Sequence, residues 1–335
     1  MDENRPRITG LGYAVPEKIR NNDDPIFDWL KHHVTDGEKL FKGYDQRRIL
    51  ADEEDLISIM LPAAKRAIAN AGITSNQVDL LIGTGSVGQY RNPNMLSLLH
   101  QKLGLQKSVW VIPVDSEFSN FNASLFIADG LLRAGRISTA LICVGGNWSR
   151  NVSYETPQAI SAGDGAGAAV MAGNSARHNW SFTDQCTLTE SGYYGSMYSS
   201  GTSYEIKPPT GNRAKVWTDC FFQITDDGIE GFKSFGVNAP PQAVLELLER
   251  HNLKGADITL ISHQASTVLM DHWNEVIQPA QYISTIKTFA NMAPANIPVS
   301  LAWSQENEPA TKDSLVLLAI GPDMHCNAML FQRSS

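Results

Sequence analysis

A polar stretch, DSEFSNFN (115–122), stands between the strand-like run VWVIPV (109–114) and a long apolar helix pattern. Many α/β enzymes place a catalytic nucleophile at a strand-to-helix junction of this kind. The stretch contains no cysteine, and Phe118 stands near its centre. The hydroxyl groups of Ser116 and Ser119 are therefore the nucleophiles that the junction itself could offer.

Two carboxylates, Asp115 and Glu117, flank the same junction. A carboxylate beside a reacting centre can act as a general base. Short polar side chains just before a helix also cap its free N–H groups. We favour capping by Asp115 or Ser116 over a catalytic role.

The composition of the 335-residue chain is that of a globular protein, with 42% hydrophobic and 19% charged residues. A net charge of −8 and the lack of a basic stripe argue against nucleic-acid binding. The sequence has no run of 18 apolar residues and no signal-peptide pattern, so no membrane partner and a cytoplasmic location are expected.

The cysteines and histidines show no metal-ligand spacing, since neither CxxC nor HExxH occurs. No metal site and no disulfide framework are expected, which fits a reducing compartment. The cysteines stand far apart, at Cys143, Cys186, Cys220 and Cys326.

Helix and strand patterns alternate along the chain. Apolar spacing near 3.6 predicts helices over 57–71 and 121–134, and short apolar runs predict strands over 79–85 and 139–146. This rhythm predicts a largely parallel sheet with helices on both faces.

The second half repeats the first. An offset of 180 residues superimposes a helix, a loop and a strand without a gap, which suggests a duplicated α/β fold. Matched positions include Ala63 with Ala243, Val78 with Ile258 and Leu80 with Leu260. The predicted halves are 1–175 and 176–335, and the second carries a loop-rich insertion at about 185–219.

Five stretches, in this order, resemble β-ketoacyl-acyl-carrier-protein synthase III and its relatives. They are KGYDQRRILADEEDL (42–56), DLLIGTGSVGQYRNPNM (79–95), SAGDGAGAAVM (161–171), GFKSFGVNAPPQAVLELLE (231–249) followed by ISHQAS (261–266), and TFANMAPANIPVSLA (288–302). The resemblance implies a duplicated thiolase-like fold of five layers, αβαβα, with two sheets and a helical layer between them.

The resemblance also implies the ligands and the assembly. An acyl-coenzyme A or acyl-carrier-protein thioester would be the substrate, with no separate cofactor and possible docking of an acyl carrier protein. A homodimer, or a heterodimer with a related condensing enzyme, is expected. The GDGAG run (163–167) lacks nucleotide-binding spacing and is interpreted as a structural turn.

In that family a cysteine at the elbow carries the acyl group, and a histidine and an asparagine act on the second substrate. These positions correspond to Phe118, His263 and Asn291 here. A phenyl ring cannot attack a carbonyl, so the resemblance predicts no acyl-enzyme at Phe118. His263 and Asn291 can both donate hydrogen bonds to a thioester carbonyl, and a neutral His263 could instead act as a base.

Three hypotheses follow. The one we favour is direct acyl transfer from the thioester to an acceptor, in specialised metabolism, with Phe118 lining the substrate site. In the second, Ser119 is presented to His263 and becomes the nucleophile. In the third, the chain is a silent subunit of a heteromeric condensing enzyme. Decarboxylation of a malonyl thioester, which needs His263 and Asn291 but no cysteine, is a further alternative.

Two other residues enter by resemblance. Arg150 corresponds to a region where relatives grip the coenzyme A or phosphopantetheine arm. The closing glycine-rich loop of the family appears as AIGPDMHCN (319–327), with Asp323 where its last glycine would be. A carboxylate there is unfavourable beside an oxyanion unless it points away.

Overall fold

The computed structural model describes residues 5–34, 40–88, 90, 93–173, 180–199 and 221–333. The strands are β1 Arg7–Ala14, β2 Ile19–Asn21, β3 Gln46–Arg48, β4 Leu80–Ser86, β5 Trp110–Pro113, β6 Thr139–Asn147, β7 Asp164–Ala172, β8 Trp180–Thr189, β9 Met197–Ser199, β10 Phe222–Ile224, β11 Ile258–Ser262, β12 Gln281–Ile283, β13 Ser314–Gly321 and β14 His325–Arg333. The helices are α1 Asp28–His33, α2 Ile57–Ala71, α3 Leu96–Leu103, α4 Asn120–Arg133, α5 Asp226–Lys233, α6 Phe235–Arg250, α7 Thr267–Ile277, α8 Ile286–Phe289 and α9 Asn296–Asn307.

The two halves have the same strand order. The first half runs β5-β4-β6-β7-β1 across its sheet, and the second runs β12-β11-β13-β14-β8. In each, the first three strands are parallel, and the fourth is antiparallel to both of its neighbours. This equivalence confirms the duplicated fold that the sequence offset predicts.

Helices and sheets form five layers. The outer helices α2 and α3 cover one half-sheet, and α6 and α7 cover the other. Between the half-sheets, α4 and α9 share one apolar core with strands from both halves. The half-sheets also touch at their edges, where Arg7 pairs with Ser181 and Ile8 with Trp180, so ten strands form one continuous sheet rather than two separate ones.

Local sequence explains the element boundaries. Helix α2 spans 57–71 as predicted and ends at Gly72, whose positive φ of 69° suits a residue without a Cβ. Its buried face includes Ala63 and Ala67, small enough for close packing on β1. Of the helices described, none is long and apolar enough to cross a membrane.

The loop-rich insertion begins later than the sequence predicts. Strand β8 continues to Thr189, because its residues pair with β14 along their whole length. After it, β9 and β10 form a small two-stranded sheet. Residues 200–220, which include most of the predicted insertion, lie outside the described residues, as do residues 174–179 around the predicted boundary of the halves.

The GDGAG run is a structural junction. A Cβ at Gly163 would lie 2.4 Å from the carbonyl oxygen of Phe289, so only glycine allows this approach. The buried Asp164 carboxylate accepts hydrogen bonds from the backbone N–H of Leu50 (2.8 Å) and from the N–H and hydroxyl of Ser149 (2.9 and 2.6 Å). This carboxylate therefore ties β7 to two loops near the elbow.

Replacement of Asp164 by asparagine is expected to lower the free energy of unfolding by about 3 kcal/mol, because the new NH₂ group cannot accept from the buried donors. Urea unfolding measures the change. The matched control is Asp52→Asn, an exposed carboxylate, which should change stability by less than about 0.5 kcal/mol. Equal stabilities of the two variants would contradict the assigned role.

Candidate active site

The elbow lies between β5 and α4, and it presents its side chains at the start of an inner helix. Helix α4 begins at Asn120, with Ser119 at its N-cap and no side-chain capping bond. The prediction that Asp115 or Ser116 caps this helix is wrong, because the helix begins too far along the chain for either side chain to reach its first N–H groups.

Phe118 contacts the predicted catalytic histidine directly. Its ring stacks on the His263 imidazole, with centroids 5.2 Å apart and planes 7° from parallel. Phe222 packs against the same phenyl ring at 6.1 Å. The structure thus brings residue 118 and His263 together across more than 140 residues of sequence, and an aromatic ring occupies the space beside the imidazole.

His263 is buried at the end of β11 and belongs to a network of amides. The side-chain oxygen of Asn296 accepts from the backbone N–H of Met292 (2.8 Å), so its NH₂ group is the donor to its other neighbours. That NH₂ group donates to Asn291 Oδ1 (2.7 Å) and to His263 Nδ1 (3.2 Å). Since Nδ1 accepts a hydrogen bond, the imidazole proton resides on Nε2.

The network fixes His263 and Asn291 as hydrogen-bond donors. Burial lowers the pKa of His263 to about 3, so the ring is neutral at physiological pH. Asn291 Oδ1 also accepts from the N–H of Ala293 (2.8 Å), which leaves the Asn291 NH₂ group as the end that can donate elsewhere. Both residues line the same cavity, so two N–H donors are available to one bound oxygen.

This cavity, which we call the donor cavity, is small and apolar. Its volume is about 60 Å³, little more than that of a water or two, and it is enclosed mainly by aromatic and methionine side chains. Four of its lining residues, Phe41, Met197, Ile224 and Phe232, also line a cavity of about 490 Å³ that reaches His33 and Lys233. A route therefore leads from the donors to a basic surface.

Ser119 does not face His263. Its hydroxyl is 2.6 Å from Nε2 of His325, and the opposite ring nitrogen of His325 is bonded to the Asp323 carboxylate. The prediction that an elbow shift pairs Ser119 with His263 is wrong, because successive residues at the elbow point in different directions. The hydrogen bond with His325 lowers the pKa of Asp323, and this partner turns its carboxylate away from the donor cavity.

Arg150 lies apart from the donor cavity. Its guanidinium donates to the carbonyl oxygens of Glu54 (2.8 Å) and Ala51, on the loop before α2. It lines neither the donor cavity nor the 490 Å³ cavity. Binding of a substrate by Arg150 therefore stays a prediction from the resemblance.

Three neighbours of the site were not singled out as site residues by sequence reasoning. Asn296 orients His263, His325 holds Ser119, and Glu117 is a partly buried carboxyl behind Phe118. Asn296 follows Asn291 by five residues at the start of α9, a spacing that could have been noticed. His325 shows no such signal, since its partner is 206 residues away.

Replacing Glu117 by glutamine is expected to change the pH dependence of stability. Burial raises the Glu117 pKa from 4.5 to about 7. Between about pH 4.5 and 7 the folded state keeps a proton that the unfolded chain has lost, so stability falls by about 3 kcal/mol as pH rises over this interval. Urea unfolding at pH 5 and pH 8 should show a smaller loss for Glu117→Gln. Parallel pH profiles would contradict the buried ionisation.

Comparisons with known proteins agree with this architecture. A family model described as 3-oxoacyl-[acyl-carrier-protein (ACP)] synthase III matches residues 114–188, which include the elbow and the GDGAG run. The β-ketoacyl-[acyl-carrier-protein] synthase III of Ehrlichia ruminantium (strain Gardel) is 26% identical over 322 residues, covering 94% of this chain and 95% of that protein.

Solved structures have the same fold. The 3-oxoacyl-[acyl-carrier-protein] synthase III of Aquifex aeolicus VF5 matches with a TM-score of 0.81 at 21% identity, over 98% of this chain and 99% of that one. A variant of Xanthomonas campestris OleA with bound lauric acid and lauroyl-CoA matches with a TM-score of 0.82 at 18% identity, over 98% and 99%.

The five-layer duplicated fold, with its elbow and its histidine and asparagine donors, defines a thiolase-fold protein of the condensing-enzyme class. Within that class the chain is a β-ketoacyl-acyl-carrier-protein synthase III-like protein. Its relatives are transferases, and in this chain a phenylalanine stands next to the imidazole of His263.

Proposed function

We propose that the protein is an acyltransferase that moves an acyl group directly from a coenzyme A or acyl-carrier-protein thioester to an acceptor, in specialised metabolite biosynthesis. The observation that carries the proposal is the pair of donors, His263 and Asn291, which line one cavity with no nucleophile beside them. Such donors stabilise the negative charge that develops on a carbonyl oxygen under attack.

The surroundings of the donor cavity support a thioester as the donor substrate. The larger cavities that lead outward from it reach the exposed Lys31 and Lys233. Ammonium groups at such a mouth suit the phosphates of a coenzyme A or phosphopantetheine arm. The thioester carbonyl would then lie at the inner end, against His263 and Asn291.

His263 acts as a donor in this proposal and not as the base. Its Nδ1 is held by the Asn296 NH₂ group, and its Nε2 carries the proton. In the reaction the acceptor attacks the carbonyl carbon, the bond to sulfur breaks, and the thiolate leaves. The proton of the acceptor must therefore pass to another group.

Decarboxylation of a malonyl thioester is the second candidate, and the same donor-only chemistry favours it. Loss of carbon dioxide generates an enolate, which two hydrogen-bond donors stabilise without a base or a nucleophile. The apolar walls of the donor cavity, including Trp148 and Phe222, would disfavour a carboxylate relative to neutral carbon dioxide.

The test is incubation with a panel of acyl-CoA and malonyl-CoA thioesters, followed by mass spectrometry of the small molecules and of the intact protein. Direct transfer predicts consumption of thioester in the presence of an acceptor and no increase in protein mass. Conversion of malonyl-CoA to acetyl-CoA without an acceptor supports decarboxylation instead. If no thioester is consumed, and the chain co-purifies with a cysteine-bearing homologue that stays active with His263→Ala, both candidates fail and the protein is a silent subunit.

The assembly is part of the same proposal. Relatives with this fold led us to expect a homodimer or a heterodimer with a related condensing enzyme, and strand β5 leaves one sheet edge open. Trp110 on that strand is 69% exposed, as suits a surface available for pairing. Light scattering of the purified chain distinguishes a dimer from a monomer.

A further inference from the structure

A second cavity lies behind Phe118, and it is polar where the donor cavity is apolar. Its volume is about 290 Å³, enough for a small organic molecule. We call it the Glu117 cavity. It is lined by Ser86, Val87, Asp115, Glu117, Phe118, Gly146, Trp148, Asn151, Tyr198, Ser199, Phe222, Ala293 and Pro322.

The two carboxylates of this cavity have no cationic partner. In the described part of the chain, no Lys, Arg or His nitrogen lies within 4.0 Å of Glu117 or Asp115. Glu117 accepts one long hydrogen bond, 3.3 Å, from the Asn120 NH₂ group. Burial raises its pKa to about 7, and the neighbouring Asp115 contributes in the same direction. A bound cation would relieve both effects.

Two further side chains of the cavity carry polar atoms without partners among the described residues. They are Trp148 and Asn151, which are only 6% and 7% exposed. Nε1 of Trp148 is a donor and Oδ1 of Asn151 is an acceptor. Buried polar atoms normally have partners, so this pair independently points to a polar ligand in the cavity.

The Glu117 cavity adjoins the donor cavity. Phe118, Trp148, Phe222 and Pro322 line both of them, so these side chains form the wall between the two. A ligand beside Glu117 is therefore one ring away from a carbonyl held by His263 and Asn291. Movement of the Phe118 ring would join the two spaces.

We propose that the Glu117 cavity is the acceptor site and that the acceptor is a small primary amine, bound as its ammonium ion between the carboxylates and Asn151 Oδ1. This inference rests on the proposed acyl transfer. Glu117 would take one proton from the ammonium group, and the free amine would attack the thioester carbon. The C–N bond forms, the C–S bond breaks, and the thiolate receives the proton from Glu117 while the attacking nitrogen releases its second proton to water.

The experiment measures binding apart from turnover. Isothermal titration of the purified protein uses n-butylamine and cadaverine, with 1-butanol and 1,5-pentanediol as neutral counterparts. The amines should bind at least tenfold more tightly than the alcohols. Their affinity should rise up to about tenfold between pH 6 and pH 8, because Glu117 ionises over this range while the ammonium group stays charged. The titratable groups that face the carboxyl, Asp115 and Tyr198, carry no positive charge.

Glu117→Gln should lose this preference for amines and its pH dependence, and urea unfolding checks that the variant is folded. His263→Ala is the matched control, because it alters the donor cavity and should keep amine binding. With an acyl-CoA present, the amines should yield amides by mass spectrometry.

The outcomes separate the two proposals. Glu117-dependent amine binding without consumption of any thioester would overturn the proposed function and leave an amine site. Thioester consumption with alcohols alone, or amine binding that Glu117→Gln leaves unchanged, would overturn the acceptor assignment while acyl transfer stands.

Discussion

Replacement of Phe118 by cysteine is expected to give a protein that gains the mass of one acyl group when it is mixed with an acyl-CoA. The new thiol would lie beside the neutral imidazole of His263 and near the N-terminal end of α4. A helix N-terminus stabilises a thiolate, which is the attacking species. Loss of the phenyl ring also enlarges the donor cavity, where the acyl chain needs room.

Intact-protein mass spectrometry measures this gain, and hydroxylamine should remove the adduct because it is a thioester. The matched control is Ser119→Cys, whose side chain is directed towards His325 and should stay unmodified. Acylation of Ser119→Cys but not of Phe118→Cys would show that the elbow presents residue 119 to the substrate. The unmodified chain should gain no mass in either case.

Removing either hydrogen-bond donor is expected to lower thioester consumption by about 100-fold to 1000-fold, the usual effect of losing one oxyanion donor. His263→Ala deletes the Nε2–H group, and Asn291→Ala deletes the free NH₂ group. Asn296→Ala should act more weakly, because it only orients the other two.

Rates of thiol release measure these effects, and circular dichroism checks the fold of each variant. His272→Ala, on α7 and outside both cavities, is the matched histidine control and should leave the rate unchanged. Because the His263 pKa is held near 3, the rate should also show no inflection near pH 6.5 that depends on this residue. A fall of less than about threefold in His263→Ala would contradict the donor role.

Periodicity predicted most of the fold. Helix α2 and strands β4 and β6 lie within one residue of the spans read from their apolar patterns, because each buries one continuous face or both faces. Helix α6 begins eight residues before its predicted start, since Pro240 and Pro241 obscure the pattern in its first turns. The edge pairing of β1 with β8 has no local signal, as it depends on how two complete half-sheets meet.

The candidate site was predictable as a set of residues and not as a set of hydrogen bonds. Motif order brought His263 and Asn291 together with Phe118. Which nitrogen of His263 carries the proton depends on Asn296, whose side chain must lie in one rotamer within a packed core. Likewise, Ser119 bonds to His325 because of the elbow's backbone path, which spacing in the sequence does not encode.

The equal strand order of the two halves has a consequence for how this chemistry can change. Inner helix α4 of the first half begins just after Phe118, and its counterpart α9 of the second half begins just after Asn291. One repeat therefore supplies the attacking position, and the other supplies the groups that hold the carbonyl. A single substitution in the first repeat can exchange covalent for direct catalysis while the amide network of the second repeat stays intact. The reaction mechanism is in this sense inherited from two copies that can diverge separately.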